Sequence, residues 1–274
     1  MDARLQARRT MELNLRHALK AKEFQLHYQP LISMKTGKIC AFEALLRWNH
    51  PIRGLVSPAE FIPLSEEIGL IVEIGAWVLE EACREASRWP EEVKIAINLS
   101  PVQFRNNEVV EAVAHALGVS RIAPERVELE ITESVLLQDS DANLQSLRDL
   151  KSLGIQIAMD DFGTGDSSLS YLQKFPFDKI KIDQSFVRTL SERPEANAII
   201  RALTGLGRSL AIDTTAEGVE TEEQLEHLRS EGCTQVQGYL FSCPPARRQR
   251  GRNPAPDLPL VGPFPARGLL LSTK

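Results

Sequence analysis

Apolar positions along this chain switch repeatedly between a short, strand-like period and a helical one. Strand-like runs fall at His27-Tyr28-Gln29, Ile39 to Leu46, Val93 to Leu99, Val127 to Ile131, Ile155 to Met159, Lys179 to Ile182, Leu210 to Thr214 and Gln235 to Phe241, which predicts eight strands. Helical spacing lies between them, most clearly where Ile71, Ile74, Val78, Ala82 and Trp89 share one face. Further helices are predicted near Pro101 to Leu117, Ala142 to Leu153, Glu195 to Ser209 and Thr221 to Ser230. Gly118, Gly154 and Gly232 are read as helix C-terminal stops. Alternation of this length favours parallel strands with crossover helices, and eight strands favour an α/β fold of the (β/α)8 TIM-like barrel type over an open sheet. The first unit differs. Residues 30–38 are too short a link for a crossover, and Lys35-Thr36-Gly37-Lys38 makes a turn, so an antiparallel first strand is expected.

The ends of the chain read differently. Residues 1–22 carry Met11, Leu15, Ala18 and Leu19 at helical spacing and predict a connecting helix; the barrel is placed at 23–245. Residues 246–274 are rich in Pro and Arg without a helical period, where a complete barrel calls for a covering helix, and are expected to be disordered.

Side chains alternate faces along a strand, so parity identifies the inward set. Ala96, Asn98 and Ser100 oppose Ile95, Ile97 and Leu99; Glu128, Glu130 and Thr132 oppose Leu129 and Ile131; Lys179, Lys181 and Asp183 oppose Ile180 and Ile182. The polar face should point into the barrel. Glu43, Asn98, Glu130, Asp160, Asp161, Asp183, Glu217 and Gln237 then recur at or near strand C-terminal ends, where barrel active sites are built. Converging carboxylates repel unless a cation neutralises them, and oxygen donors with one amide suit Mg²⁺ or Mn²⁺ better than zinc. Any one of these acids alone is more often a helix cap or a loop hydrogen-bonder than a ligand, and Asp160-Asp161 before Phe162-Gly163 is compatible with a simple turn. Their coincidence favours a site. Adjacent residues cannot share a strand face, so this pair suits a strand end that bends to aim both carboxylates at ions. Lys181 within an acid ring suits a water or a phosphate; Arg47 by spacing alone is as compatible with a surface ion pair. The five histidines show no catalytic spacing.

Composition narrows the class. With 274 residues, 43% of them hydrophobic, the chain can bury a large core. Cys40, Cys83, Cys233 and Cys243 form no CxxC pair, so reduced, cytoplasmic thiols are expected rather than a disulfide framework. No apolar run has membrane-spanning length, and the polar, basic N-terminus lacks a signal-peptide core. Net charge is −5, but residues 246–274 carry +5 and the rest therefore −10. An acidic body disfavours a nucleic-acid polymer as partner. A small anion would need a metal bridge.

At Phe42-Glu43-Ala44-Leu45-Leu46-Arg47-Trp48 the sequence resembles the EAL-domain family of cyclic di-GMP phosphodiesterases. The match runs in order through Tyr28-Gln29-Pro30, Asn98-Leu99-Ser100-Pro101, Glu130-Ile131-Thr132-Glu133, Asp160-Asp161-Phe162-Gly163-Thr164-Gly165, Lys181-Ile182-Asp183, Ala216-Glu217-Gly218-Val219-Glu220 and Gln237-Gly238-Tyr239-Leu240-Phe241. The resemblance implies a (β/α)8 barrel with an antiparallel first strand, and hydrolysis of cyclic di-GMP to linear pGpG by a metal-activated water using two Mg²⁺ or Mn²⁺ ions. It implies metal ligation by Glu43, Asn98, Glu130 and Asp160 at one ion and by Asp160, Asp161 and Glu217 at the other. Glu43, Lys181 and Glu217 would be catalytic, Gln29, Leu45, Arg47, Asp183, Glu220 and Gln237 would face substrate, and Glu133 would brace the loop after Asp161. A homodimer and an upstream sensory or GGDEF domain are further implications.

Three departures from the family pattern stand out: Asp166 in place of an aromatic residue, Thr234 in place of a frequent acid, and no recognisable final helix beyond Pro245. Two other readings compete with the phosphodiesterase. A degenerate cyclic di-GMP receptor keeps the nucleotide pocket but loses ligands, and none is lost here. An unrelated metal-dependent barrel hydrolase or lyase fits the strand-end acids but not the ordered motifs.

Overall fold

The computed structural model describes residues 2–137, 140–163, 175–190 and 193–241. Asp166, Cys243, the expected disordered tail and the question of the final helix lie outside the described residues.

Nine strands form one sheet: β1 (Phe24–Ser33), β2 (Ile39–His50), β3 (Gly54–Val56), β4 (Lys94–Leu99), β5 (Val127–Thr132), β6 (Gln156–Phe162), β7 (Lys179–Ile182), β8 (Asp213–Ala216) and β9 (Gln235–Val236). Around the ring the order is β1-β9-β8-β7-β6-β5-β4-β2, closed by β1 against β2, with β3 hanging on β2 outside the ring. The result is a closed eight-stranded α/β barrel. β1 is antiparallel to both its neighbours, as the short hairpin predicts, and the other ring pairings are parallel. Gly37 takes φ +66 in the hairpin turn, a conformation that suits a residue without Cβ.

Why the strands sit this way follows from their two faces. Ile95, Ile97, Leu129, Ile131, Ile157, Met159, Ile180 and Ile182 are all buried and form a continuous core with the surrounding helices. From Ile71–Ala86 that core takes Ile74, Val78 and Ala82, and Ile71 is buried as well. The inward face is polar through much of its depth. Lys94 Nζ donates to Gln156 Oε1 at 2.7 Å, and Lys179 Nζ to Glu128 Oε1 at 2.7 Å, the latter pair about 2–3% exposed. Such a buried pair is favourable only when well matched, since each ion gives up its hydration.

The N-terminal helix Asp2–Lys20 buries Met11, Leu15 and Ala18, as its spacing predicts. An aromatic cluster at the β1–β2 side, with Phe24, Trp48 and Phe61 at centroid separations of 5.7–6.0 Å, completes that flank. Trp89 lies beyond the helix it was assigned to, but packs on Phe42 and Tyr28.

Several boundaries differ from those predicted. Leu210 closes the helix Pro194–Leu210 rather than opening a strand; Ala211 caps it at φ +57, and β8 begins at Asp213. Gly118 lies inside the helix Glu108–Ser120, and the left-handed residue that follows it is Arg121 at φ +57. Gly154 and Gly232, at φ +93 and +82, do act as stops. The segment after Ser100 starts as a 3-10 turn, Pro101–Asn107, held by a Ser100/Gln103 capping box. β6 runs on to Phe162 instead of ending at Met159. β9 is only two residues long, because from Gln237 the chain pairs with the segment after β8: Val219 N donates to Gln237 O at 3.0 Å and Leu240 N to Val219 O at 3.0 Å. Thr234 ties these strands together, accepting from Thr214 N and donating to Thr214 O, both at 2.9 Å.

Gly238 is held at that crossing. A Cβ there would sit 2.7 Å from the Val219 carbonyl carbon and closer still to its nitrogen and oxygen, so the backbone itself would have to move. Gly238→Ala is therefore expected to destabilise the fold by more than about 2 kcal/mol; a urea midpoint unchanged from wild type would refute the close approach.

Candidate active site

The C-terminal ends of β4 to β9, together with β2, deliver polar groups to the barrel mouth, two of them from β6. Lys181, 1% exposed, is the centre: its Nζ lies 2.7 Å from Glu130 Oε2, 2.7 Å from Glu217 Oε1 and 3.1 Å from Asp160 Oδ1. A second cluster forms around Glu43. Asn98 Nδ2 and Gln237 Nε2 each donate to a different oxygen of that carboxylate at 2.6 Å, and Gln237 Nε2 also donates to Gln29 Oε1 at 3.0 Å. Glu43 and Gln29 are direct cross-strand partners, which is how the hairpin contributes two groups at one point.

The Asp160-Asp161 pair shows the bend its adjacency required. Asp161 takes φ +54, and the β6–β7 register shifts between Met159 and Phe162. Aspartate tolerates this left-handed conformation better than most residues, and Asp161 N donates to the Asp160 carboxylate at 3.0 Å. As a result carboxylate oxygens of Asp160, Asp161 and Glu217 come within 4.8 Å of one another, close enough to share a cation. Glu133, just past β5, accepts from Gly163 N at 3.4 Å, which bridges the ends of β5 and β6.

Electrostatics divide the cluster. Burial opposes ionisation of Glu43, but Lys181 and the bonds from Gln237 and Asn98 outweigh it and hold its carboxyl below the usual range. Burial raises Glu130 well above its ordinary value despite Lys181, with Glu43, Asp160 and Glu128 adding to the rise. Glu217 is pushed up to about 7 by burial, against Lys181 and aided by the charges of Asp160 and Glu43. Asp161 rises to about 6 through burial and the charges of Asp160 and Asp183. Burial works against the charge of Lys181, yet the surrounding acids raise it well above its ordinary value. One ammonium faces five carboxyl groups, so full ionisation leaves negative charge to be neutralised. Glu130 Oε1 and Gln237 Oε1 are also buried without a hydrogen-bond partner. Spare oxygen acceptors in an acidic mouth fit a hard divalent cation.

Over this cluster opens a cleft of about 290 Å³. Glu43, Asp160, Lys181 and Glu217 form its floor, and Gln29, Leu45, Arg47, Glu220 and Gln237 line it as well. Asp183, expected to face substrate, does not line it; its carboxylate caps the next helix by accepting from Ser185 N at 2.9 Å. Gln184, Arg188, Gly218 and Tyr239 line the cleft and were not anticipated. They follow strand ends by two to six residues, and that position over a barrel mouth is the signal that could have found them.

A family model described as EAL domain matches residues 12–244. This chain belongs to the EAL domain family. Among curated relatives, the uncharacterized protein y4lL of Sinorhizobium fredii is 53% identical over 244 residues, 89% of this chain and 30% of that protein. The bifunctional diguanylate cyclase/cyclic di-GMP phosphodiesterase MucR of Pseudomonas aeruginosa is 43% identical over 248 residues, 89% of this chain and 36% of that protein. A solved structure of the PaMucR phosphodiesterase in complex with c-di-GMP is 44% identical with a TM-score of 0.80, covering 84% of this chain and 95% of that one. The EAL domain chain thus spans about a third of the length of the curated relatives it matches. Among the described residues no helix is long and apolar enough to cross a membrane.

The raised carboxyls fix a sign for stability. Glu217 binds more protons folded than unfolded between about pH 4.5 and 7, so its contribution falls as pH rises through that window. Without divalent cations this EAL domain should therefore lose stability between pH 5 and 8, and Glu217→Gln should recover on the order of 1–3 kcal/mol at pH 8. Thermal melts in chelator across that range read it; a Glu217→Gln melting profile parallel to wild type would contradict the burial-raised carboxyl.

Proposed function

We propose that this EAL domain hydrolyses cyclic di-GMP to linear pGpG, assisted by Mg²⁺ or Mn²⁺. The observation that carries the reading is the convergence of Glu43, Asn98, Glu130, Asp160, Asp161 and Glu217 around Lys181 at the barrel mouth. Support comes also from relatives named as cyclic di-GMP phosphodiesterases, MucR and, at 39% identity, NbdA of Pseudomonas aeruginosa.

Glu43, Asn98, Glu130 and Asp160 would hold one cation, and Asp160, Asp161 and Glu217 a second. Bound there, such ions supply charge neutralisation of the phosphate and acidification of water. The chain's own groups do the rest. The Lys181 ammonium orients the attacking water and offsets charge that develops on the phosphate oxygens. Water oxygen bonds to phosphorus as the P–O3′ ester bond breaks; the water's proton leaves to solvent by way of a nearby carboxylate such as Glu217, and the departing O3′ takes up a proton to become the 3′-hydroxyl of pGpG. Arg47 pairs with phosphate, and Gln29, Leu45, Glu220 and Gln237 shape the cleft around the nucleotide. Asp183 caps the helix that follows β7, and Glu133 braces the strand end carrying Asp161. Assembly as a homodimer in the cytoplasm, downstream of a sensory or GGDEF domain, belongs to the same reading.

Incubation of the purified chain with cyclic di-GMP and Mg²⁺, followed by chromatography, is expected to yield pGpG. Tight binding without product would make it a receptor, and neither binding nor product would overturn the reading. Glu43→Ala removes a proposed ligand that also anchors Asn98 and Gln237. Its turnover should fall by more than the about 100-fold typical of losing a supporting residue behind a ligand; near-normal turnover would remove Glu43 from the mechanism.

A further inference from the structure

The cleft has a cation at each end and a saturated one in the middle. Lys181 is engaged by Glu130, Asp160 and Glu217. Arg47 stands on β2, half-buried, and donates to the neighbouring Leu46 O at 3.0 Å. Arg188 stands on the short helix Gln184–Arg188 that follows β7. In the ring, β2 and β7 are four strands apart by either route, so the two arginines enter the same cleft from opposite sides. Arg188 is exposed, and among the described residues it has neither a carboxylate nor a hydrogen-bond partner.

Its platform is held firmly. Asp183 caps Ser185 N, Val187 is fully buried, and Gln224 Nε2 donates to Val187 O at 3.3 Å while its Oε1 accepts from Glu220 N at 2.8 Å. The same glutamine thus ties the Arg188 helix to the segment carrying Glu217 and Glu220. An unpaired guanidinium fixed at the edge of a substrate cleft is poised for a ligand with two adjacent acceptors, because its fork of N–H donors matches a phosphate or the O6/N7 edge of guanine. A helix-dipole role, the simpler structural reading for a basic residue in a last helical turn, accounts for the charge but not for its projection into the cleft.

Resting on the proposed substrate, we infer that Arg188 is a specificity-determining, substrate-binding residue that holds the second nucleotide of the cyclic dinucleotide, the half whose phosphate is not attacked. The ligand is two-fold symmetric; with one phosphate over the acid cluster, its halves extend to opposite ends of the cleft, and each end offers an arginine.

The test is the dissociation constant of cyclic di-GMP, measured in chelator and with Ca²⁺, for wild type, Arg188→Ala and Arg188→Lys, alongside KM in Mg²⁺ and melting temperature. Arg188→Ala should weaken binding by about tenfold to a hundredfold and raise KM by more than it lowers kcat, with the melting temperature held. Arg188→Lys, which keeps charge but loses the fork, should restore only part of the affinity. Cyclic di-AMP separates the sources. An equal loss for both dinucleotides assigns the contact to phosphate, and a loss confined to cyclic di-GMP assigns it to the guanine edge. Arg188→Ala binding within twofold of a wild type that does bind overturns this role alone; a wild type that binds no cyclic di-GMP overturns the proposed substrate and this role with it.

Discussion

The Lys181 ammonium lies within 3.1 Å of carboxylates carried by β5, β6 and the segment after β8, and the geometry of the whole barrel mouth follows from keeping it there. Removing such a charge from water costs several kcal/mol, which only close, well-directed carboxylates can offset. Three strand ends must therefore converge on one point. β5 and β7 do so by sending Glu130 and Lys181 inward across β6, where Ala158, small and fully buried, is the register partner of Glu130 on one side and of Lys179 on the other. The Glu128–Lys179 pair repeats the arrangement one step deeper. The inside of this barrel is thus a column of matched polar groups, and its hydrophobic core lies outside, between strands and helices.

That inversion is why so much could be read from the sequence. Polar inward and apolar outward residues give clean period-2 alternation in β4, β5 and β7, so parity placed Asn98, Glu130 and Lys181 correctly within the fold. The antiparallel start was legible because a nine-residue link cannot carry a crossover helix. What escaped was governed by backbone rather than pattern. Leu210 looked like a strand start because apolar character alone does not distinguish a helix end from a strand, and the deciding feature is the left-handed Ala211. Gly118 looked like a stop, yet a glycine can lie inside a helix at modest cost, and Arg121 took the left-handed position instead. β3 is three residues long, too short to show a period.

At the site the same division holds. The acids and amides of the cluster stand at or near strand ends and were visible; Gln184 and Arg188 stand on a short helix and Tyr239 on a turn, where no periodicity fixes direction. Asp183 illustrates the converse. Its parity pointed inward, but it is the first residue after β7, where the chain turns into a helix, and its carboxylate accepts the capping bond from Ser185 N. Asp161 lies between these cases: adjacency demanded a bend, while the means, a left-handed residue at a register shift, could not be read from residue types.

The two halves of the mouth are chemically unlike, and the difference comes from the donors rather than from the acids. Glu43 is held below the usual carboxyl range, against burial, first by the charge of Lys181 and then by two neutral amides, Gln237 and Asn98, which favour its charge without adding any. Glu217 and Asp161 have acidic neighbours, and their charge is opposed by burial and by Asp160. Lys181 cannot balance both sides, being fully engaged between them. Ionisation is therefore favoured at Glu43 and opposed at Glu130, Glu217 and Asp161. This asymmetry between two adjacent positions is set by which strands supply amides and which supply acids.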